Sequence, residues 1–382
     1  MNKKKFFIIT TIPLSLIFFK GQLSFLKNEF DITLISSPEE ELFKIANKYQ
    51  VNGYGIKMKR EISLVNDCIS LMKFIFYFFK NRPDIVHGNT PKASFISMTA
   101  SWFTRVPIRI YFVHGLRYQG ANGIKKYLLI YMERISCKFA THIYAVSNGV
   151  KDTMLKDTIT KKEITVIWNG SVNGINEGFF NPEIVNEITI KKEYHIKSDD
   201  FVFGFVGRLV RDKGINELIL AFKDINKLFP NSKLLLVGNF EDELDPLLPE
   251  VKKEIQNNKS IIHAGFQNDI RPFYKLMNLF VFPSYREGFG ISLMEAAAMG
   301  VPAISSDIIG CNEIILNNVN GYLIPSKNKL VLFEKMLFCL KNKHSIEEMS
   351  LVSRDIILSK FEQKELWKKT IDTYKNLKAL NL

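Results

Sequence analysis

Residues 282–302 read FPSYREGFGISLMEAAAMGVP. Glu287 and Glu295 are separated by seven residues, and Gly288 and Gly290 lie between them. The run LFVFPS at 279–284 is short, apolar and closed by a turn residue, which predicts a buried strand. From Ile291 the pattern predicts a helix over 291–299, stopped by Gly300. The glycines therefore sit between a strand's end and a helix's start. In open α/β sheets ligands bind at the carboxyl ends of strands. A helix N-terminus offers unpaired N–H groups and a positive dipole end to phosphate, and glycine lets the backbone approach a ligand closely. A carboxylate matches a diol, two acceptors for two donors. Glu287 in the loop is placed for vicinal sugar hydroxyls, and Glu295, a turn or more into the helix, for a ribose diol. Taken alone, each glutamate reads more readily as a solvated side chain.

A second strand-to-helix turn carries cations. FVFGFVGRLVRDKG at 201–214 places Gly207-Arg208, then Lys213-Gly214, before the next helical pattern. Two cations flanking such a turn suit a diphosphate. The spacing is not GxGxxG, and no ribose-binding acid follows about 20 residues on, so a dinucleotide fold is not indicated. A surface Arg and Lys at a turn is the competing reading. The glutamate element in the same half of the chain favours a clamp.

Strand-like and helix-like runs alternate throughout. FFIITT, DITLIS, DIVHG, IRIYFVHG, HIYAVS and ITVIWNG mark the first half; FVFGFVGR, KLLLVG, SIIHAG, LFVFPS and PAISS mark the second. Short apolar runs followed by amphipathic helices imply parallel sheets of βαβ units. Two such series predict two doubly wound domains, with the polar segment 181–200 between them. The assignment is 1–185 for the first domain, 186–360 for the second, and 361–382 for a closing amphipathic helix. In that helix Leu366, Ile371, Tyr374 and Leu377 share a face. The basic start and apolar run at 1–19 resemble a signal peptide. The run lacks a small-x-small cleavage site, however, and 6–11 reads as a buried first strand. No run reaches the length of a spanning helix.

Hydrophobic residues make up 46% of the 382 and charged residues 24%, an ordinary globular balance. The net charge of +13 is uneven. Residues 1–180 hold 25 Lys and Arg against 13 Asp and Glu, and the remainder hold 27 against 26. A basic half implies an anionic partner, whether nucleic acid, an anionic membrane or a phosphorylated substrate; plain solubility charge is the alternative. No RNP-like or helix-turn-helix signature supports nucleic acid. The four cysteines are scattered without a CxxC pair, which suits a reducing compartment and not structural zinc. The acidic run EDELD at 241–245 imitates a metal site but reads as a solvated loop before a helix.

GRLVRDKG together with PSYREGFGISLMEAAAMGVPAI resembles family 4 of the retaining glycosyltransferases, whose E-x7-E motif is the glutamate pair. The likeness extends through LLLVGNFEDELDPL, NGSVNGIN at 169–176, PDIVHGNTPKA at 83–93 and HGLRYQG at 114–120, which are similar to capsule and lipid-linked oligosaccharide members. The first loop, 12–22, departs from the family: it contains only Gly21 where many members are glycine-rich. The resemblance implies an α/β GT-B fold of two facing Rossmann-like doubly wound domains. It implies an N-terminal domain for the acceptor and a C-terminal domain for the nucleotide sugar, with the terminal helix packing back toward the first. By the same resemblance Arg208 and Lys213, with Gly207, bind the donor diphosphate. Glu287 binds the donor sugar, Glu295 the ribose, and backbone N–H groups at Gly288, Phe289, Gly290 and Ile291 hold sugar and phosphate. His114 falls where many members have an active-site histidine; a merely structural histidine is the alternative.

The implied reaction moves a hexose or N-acetylhexosamine from a nucleoside-diphosphate sugar, expected to be UDP-linked, with retention at the anomeric carbon. Cations and a helix dipole would stabilise the leaving group, so no metal and no cofactor are expected. Segment 57–82 mixes Lys and Arg with a Phe-rich helix face, which suits either a buried helix or an anionic membrane. The expected acceptor is a polyprenyl-diphosphate-linked saccharide at the cytoplasmic membrane face, in capsule, O-antigen or exopolysaccharide synthesis. Arg117, Lys125 and Lys126 are candidate partners for its diphosphate. A sugar-nucleotide epimerase of the same fold and a non-catalytic sugar-nucleotide binder remain as alternatives.

Overall fold

A computed structural model describes residues 3–243 and 245–379. Contacts divide the chain into two units, Met1–Gly174 with Gln363–Leu382, and Ile175–Glu362.

The first unit holds seven parallel strands: β1 (Lys4–Ile9), β2 (Phe30–Ser36), β3 (Asn52–Gly55), β4 (Ile85–Gly88), β5 (Ile108–Val113), β6 (His142–Ala145) and β7 (Ile164–Thr165). Their order is β3-β2-β1-β4-β5-β6-β7. β4 and β5 are buried along their whole length, which is why they read as mostly apolar runs, interrupted by His87 and Arg109. The helix Pro91–Phe103 packs between the helices Leu64–Asn81 and Gly123–Phe139. The C-terminal helix Gln363–Lys375 packs on the helix Gln22–Glu29. Leu366, Trp367 and Tyr374 are buried there, while Leu377 lies beyond the helix. Trp367 Nε1 donates to Asn173 Oδ1 at 2.7 Å. Its ring occupies the space beside Gly21 (φ +80°), where a Cβ would meet it at 2.6 Å.

The second unit holds six parallel strands: β8 (Phe201–Val206), β9 (Ser232–Val237), β10 (Ile261–Gly265), β11 (Leu279–Phe282), β12 (Ala303–Ser306) and β13 (Gly321–Ile324). Their order is β10-β9-β8-β11-β12-β13. In each sheet the strand order reverses once, between β1 and β4 and between β8 and β11. The carboxyl ends at such reversals are the ligand crevices of doubly wound sheets.

Two strands escape the apolar-run pattern. β3 is NGYG, an edge strand that is at most half-buried, and β13 is GYLI, following a polar turn. The join also lies earlier than the polar segment 181–200 suggests. Ile175 N donates to Phe361 O at 2.8 Å, and Arg354 holds the carbonyls of Glu177 and Phe180, which ties this stretch to the second unit.

All three tryptophans, Trp102, Trp168 and Trp367, belong to the first unit. Trp367→Ala empties a buried site and should cost about 3–5 kcal/mol. The emission of Trp102 and Trp168 in urea should show a lower midpoint for this unit, and an unchanged midpoint would mean that the closing helix does not stabilise it.

Candidate functional site

The crevice between β8 and β11 collects the residues singled out above. After β8 the chain turns at Gly207, passes Arg208, forms the short turn Arg211–Lys213, and enters the helix Ile215–Leu228. After β11 it runs through Pro283 to Gly290 and enters the helix Ile291–Ala298. Gly214 brings the two segments together. Its φ is +70°, and a Cβ would lie 2.1 Å from Pro283 O. Tyr285 N donates to Asp212 O at 2.8 Å, and Arg286 Nε donates to Asp212 Oδ2 at 2.7 Å.

Across this contact Lys213 Nζ bonds Glu287 Oε1 at 2.5 Å. The side chains are 18% and 12% exposed, so the pair is mostly withdrawn from water. The ammonium also lies 5.2 Å from the Phe282 ring centroid, on its face. Cys311 is buried beside the pair. Burial, with the Glu287 charge second, pushes its thiol well above the ordinary value and keeps it protonated. Gly290 N donates to Gly310 O and Ile291 N to Phe289 O, each at 3.0 Å. The Gly288 and Phe289 N–H groups are among those of the loop that have no partner among the described residues. The Phe289 side chain itself is buried, edge-on to Phe361.

Glu295 sits one turn into the helix, where Tyr274 Oη donates to its Oε2 at 3.0 Å. Tyr274 is fully buried; burial, then the Glu295 charge, raises its hydroxyl well above the ordinary value, so it acts as a donor. No sequence signal marked Tyr274. It lies on a different helix, and the fold alone brings it to Glu295.

The acidic run 241–245 is the solvated loop before a helix that its composition suggests, and it also supplies ionic partners to the cationic turn. β9 lies beside β8, so the loop leaving β9 falls against the cationic turn. Arg208 Nη1 bonds Glu241 Oε2 at 2.6 Å, Arg211 Nε meets Asp245 Oδ1 at 3.3 Å, and Asp212 N donates to Asp245 Oδ2 at 2.6 Å.

In the first unit, His114 follows β5 near the β1–β4 reversal. Its ring stacks on Phe18 from the first loop, centroids 4.3 Å apart, and on Phe112 at 4.7 Å. Asn89 Nδ2 donates to Ile9 O at 3.3 Å and His87 O at 3.1 Å. Those two carbonyls fix the amide's orientation and aim Oδ1 at His114 Nε2, 3.1 Å away. An acceptor on that side requires the proton on Nε2. Nδ1 is then a bare acceptor, and it is buried without a hydrogen-bond partner among the described residues. His87 is buried below, with Nε2 2.8 Å from Tyr374 Oη. Arg117, Lys125 and Lys126 lie exposed on the turn and first helical turn that follow.

Two family models match the chain: glycosyl transferases group 1 over residues 186–354 and Glycosyltransferase Family 4 over 25–171. The capsular polysaccharide biosynthesis glycosyltransferase CapM of Staphylococcus aureus is 35% identical over 382 residues, covering 98% of this chain and 97% of its own. The UDP-Gal:alpha-D-GlcNAc-diphosphoundecaprenol alpha-1,3-galactosyltransferase of Escherichia coli is 29% identical, covering 89% and 88%. Among solved structures, Anabaena HepE in complex with UDP and glucose superposes with a TM-score of 0.81 at 16% identity, covering 98% and 100%, a likeness of fold.

Burial lowers His87 and His114 from 6.5 to about 3, with the neighbouring His87 charge adding for His114. Between those values the unfolded chain binds protons that the folded chain refuses, so stability should fall as pH drops through that window. Nitrogen-15 NMR of histidine-labelled protein, assigned with His114→Gln, should show His114 neutral with its proton on Nε2 from pH 7 to pH 5. A proton on Nδ1, or titration near 6.5, would contradict the geometry.

Proposed function

This chain belongs to family 4 of the GT-B glycosyltransferases, and on that premise we propose that it is a retaining, metal-independent transferase using a UDP-sugar. The transferred group is a hexose or N-acetylhexosamine. The acceptor is a polyprenyl-diphosphate-linked glycan, at the inner face of the plasma membrane, in capsule, O-antigen or exopolysaccharide synthesis. The observation that carries this reading is the convergence at the β8–β11 crevice of Gly207 to Gly214 with the loop from Pro283 to Gly290, joined through Lys213 and Glu287. Two relatives support the pathway, one a capsular polysaccharide glycosyltransferase and one with a UDP-sugar donor and a diphosphoundecaprenol acceptor.

On this reading the second unit holds the donor and the first the acceptor. Arg208 and Lys213 take the diphosphate, with the Gly288 and Phe289 N–H groups beside it. Glu287 accepts from sugar hydroxyls. Glu295, oriented by Tyr274, accepts from the ribose. The bond from the anomeric carbon to the diphosphate oxygen breaks as the acceptor hydroxyl attacks from the same face. The hydroxyl's proton passes to an oxygen of the departing UDP. The leaving group's negative charge meets cations already in place, so the barrier falls without reorganisation of solvent. His114 offers a neutral acceptor for a hydroxyl. Arg117, Lys125 and Lys126 are the cations available to the acceptor's own diphosphate.

A panel of labelled UDP-sugars separates the classes: transfer or hydrolysis for a transferase, a new free UDP-sugar for an epimerase, no turnover for a binder. With the sugar identified, Lys213→Ala should lower kcat/KM by at least ~30-fold, the loss of a contact of ~2–4 kcal/mol. The variant Lys213→Ala/Glu287→Gln controls for the partner left unpaired. Turnover within threefold of the parent would overturn the clamp. Activity should survive excess EDTA; loss restored only by Mg²⁺ or Mn²⁺ would make the enzyme metal-dependent.

The two glutamates should separate by kinetics. Glu287→Gln should slow transfer by ~10²-fold, as removal of one transition-state hydrogen-bonding group does, without weakening UDP binding. Glu295→Gln should weaken UDP binding by about tenfold or more. Calorimetry giving the opposite pattern would exchange their assignments.

A further inference from the structure

The helix Leu64–Asn81 is apolar on two opposite faces. Ser70, Phe74 and Phe78 are buried against the unit's core. Leu64, Val65, Ile69, Met72, Phe76 and Phe79 fall on the other side, within an arc of about 140° at 3.6 residues per turn. Each is more than half exposed, from 51% at Ile69 to 78% at Leu64. A helix that only covered its own sheet would be polar there. A contiguous apolar surface of this kind on a single chain marks an interaction site.

The neighbouring helices extend it. Pro91–Phe103, in the middle of the layer, exposes Trp102 and Phe103 at its end. Gly123–Phe139 exposes Ile124, Tyr127 and Tyr131, one stripe at i, i+3, i+7, at 86%, 74% and 60%.

Charge decides the occupant. Lys57, Lys59, Lys73, Lys80, Lys125 and Lys126 are exposed on these helices and the segment leading into them. The three helices contain two carboxylates, both engaged, and the leading segment adds one exposed carboxylate, Glu61, against its own Lys57, Lys59 and Arg60. Asp67 is bonded by Lys92 Nζ at 2.8 Å, and Glu133 is buried against the Tyr111 hydroxyl. A second copy of the chain would bring the same cationic face and repel. An anionic bilayer complements both features, taking the rings at the headgroup–acyl boundary and the ammonium groups at the headgroups. Among the described residues no helix is long and apolar enough to cross a membrane.

We propose that this three-helix layer is the surface on which the protein seats against an anionic lipid bilayer, with the outer face of Leu64–Asn81 immersed. The placement suits the acceptor reading above and rests on it only there. Helices of a parallel sheet run back against their strands. Leu64, Val65 and Ile124 therefore lie toward the carboxyl end of the sheet, the end that carries His114. A lipid-anchored saccharide would reach that end from the same bilayer.

Flotation of the full chain with vesicles tests this, comparing phosphatidylglycerol–phosphatidylethanolamine with phosphatidylcholine over a salt series. The native chain should float with the anionic vesicles, less as salt rises, and little with phosphatidylcholine. Phe76→Ser/Phe79→Ser changes two exposed side chains and should cut the partition coefficient at least tenfold. Lys73→Glu/Lys80→Glu should remove the preference for anionic lipid. Tryptophan emission in urea checks that the unit stays folded. Native protein that ignores anionic vesicles would overturn the surface, and so would a serine variant that floats as well as the parent. A native dimer in ultracentrifugation that the serine pair dissociates would give the face to a second copy instead. UDP titration of the same samples separates the two readings. Protein that floats yet binds no UDP keeps the bilayer surface and loses the donor site; protein that binds UDP yet does not float loses only the surface.

Discussion

The site of the second unit depends on the absence of a side chain at Gly214. Its left-handed backbone rests on the carbonyl of Pro283, and a Cβ there would stand 2.1 Å from that oxygen. Any other residue would drive the cationic turn away from the loop after β11. Two further glycines hold neighbouring segments by the same means. A Cβ on Gly238 would lie 1.9 Å from Gly207 O, and one on Gly310 would lie 2.5 Å from Gly288 O. The carboxyl ends of β8, β9, β11 and β12 are thus drawn together by close backbone approaches that leave little slack. Preorganisation at this level comes before the charged side chains, because their positions are set by where the backbone loops touch.

The charges at this crevice come in matched pairs. Arg208 meets Glu241, Arg211 meets Asp245, Asp212 meets Arg286, and Lys213 meets Glu287. The outer pairs are well exposed and contribute little stability. The Lys213–Glu287 pair is different because both partners are mostly withdrawn from water, where separating them carries a desolvation cost. On the proposed reading a diphosphate would compete with Glu287 for Lys213, while sugar hydroxyls would donate to the carboxylate so released. Donor binding then becomes an exchange of partners. Diphosphate and sugar together satisfy both halves of the pair, which the nucleotide alone does not.

Much of the fold was legible because buried parallel strands are apolar over most of their length. Runs such as IRIYFV and FVFGFV admit few other readings, and the turns after them carry the glycines and ions. β3 and β13 were not legible because one is a glycine-containing edge strand and the other a four-residue strand after a polar turn; neither fills a long apolar run. The ionic partners of Arg208 and Arg211 were missed for a related reason. The run 241–245 looks solvated along the chain and becomes a partner only because β9 pairs with β8. Tyr274 and Asn89 were missed because what they do is defined by a contact with a distant residue, Glu295 for one and His114 for the other. Local spacing marks backbone geometry and charge well. It does not mark a neutral hydroxyl or amide whose purpose is to orient another group.

The two sheets reverse strand order in the same way yet place opposite chemistry at the reversal. In the second unit the crevice holds glycine turns and paired charged side chains. In the first it holds His87, His114, Asn89 and Tyr374 among phenylalanine rings. Burial keeps both imidazoles neutral, so this crevice offers hydrogen-bond acceptors without net charge. On the proposed reading such a lining would suit a neutral hydroxyl-bearing group better than a phosphate. The excess positive charge of the first unit therefore acts elsewhere, on the lysines around the exposed helices. A division follows between recognition and location. On the proposed reading, neutral acceptors at the strand ends would read the hydroxyl, while exposed rings and lysines along the helix layer would set the surface at which that hydroxyl is met.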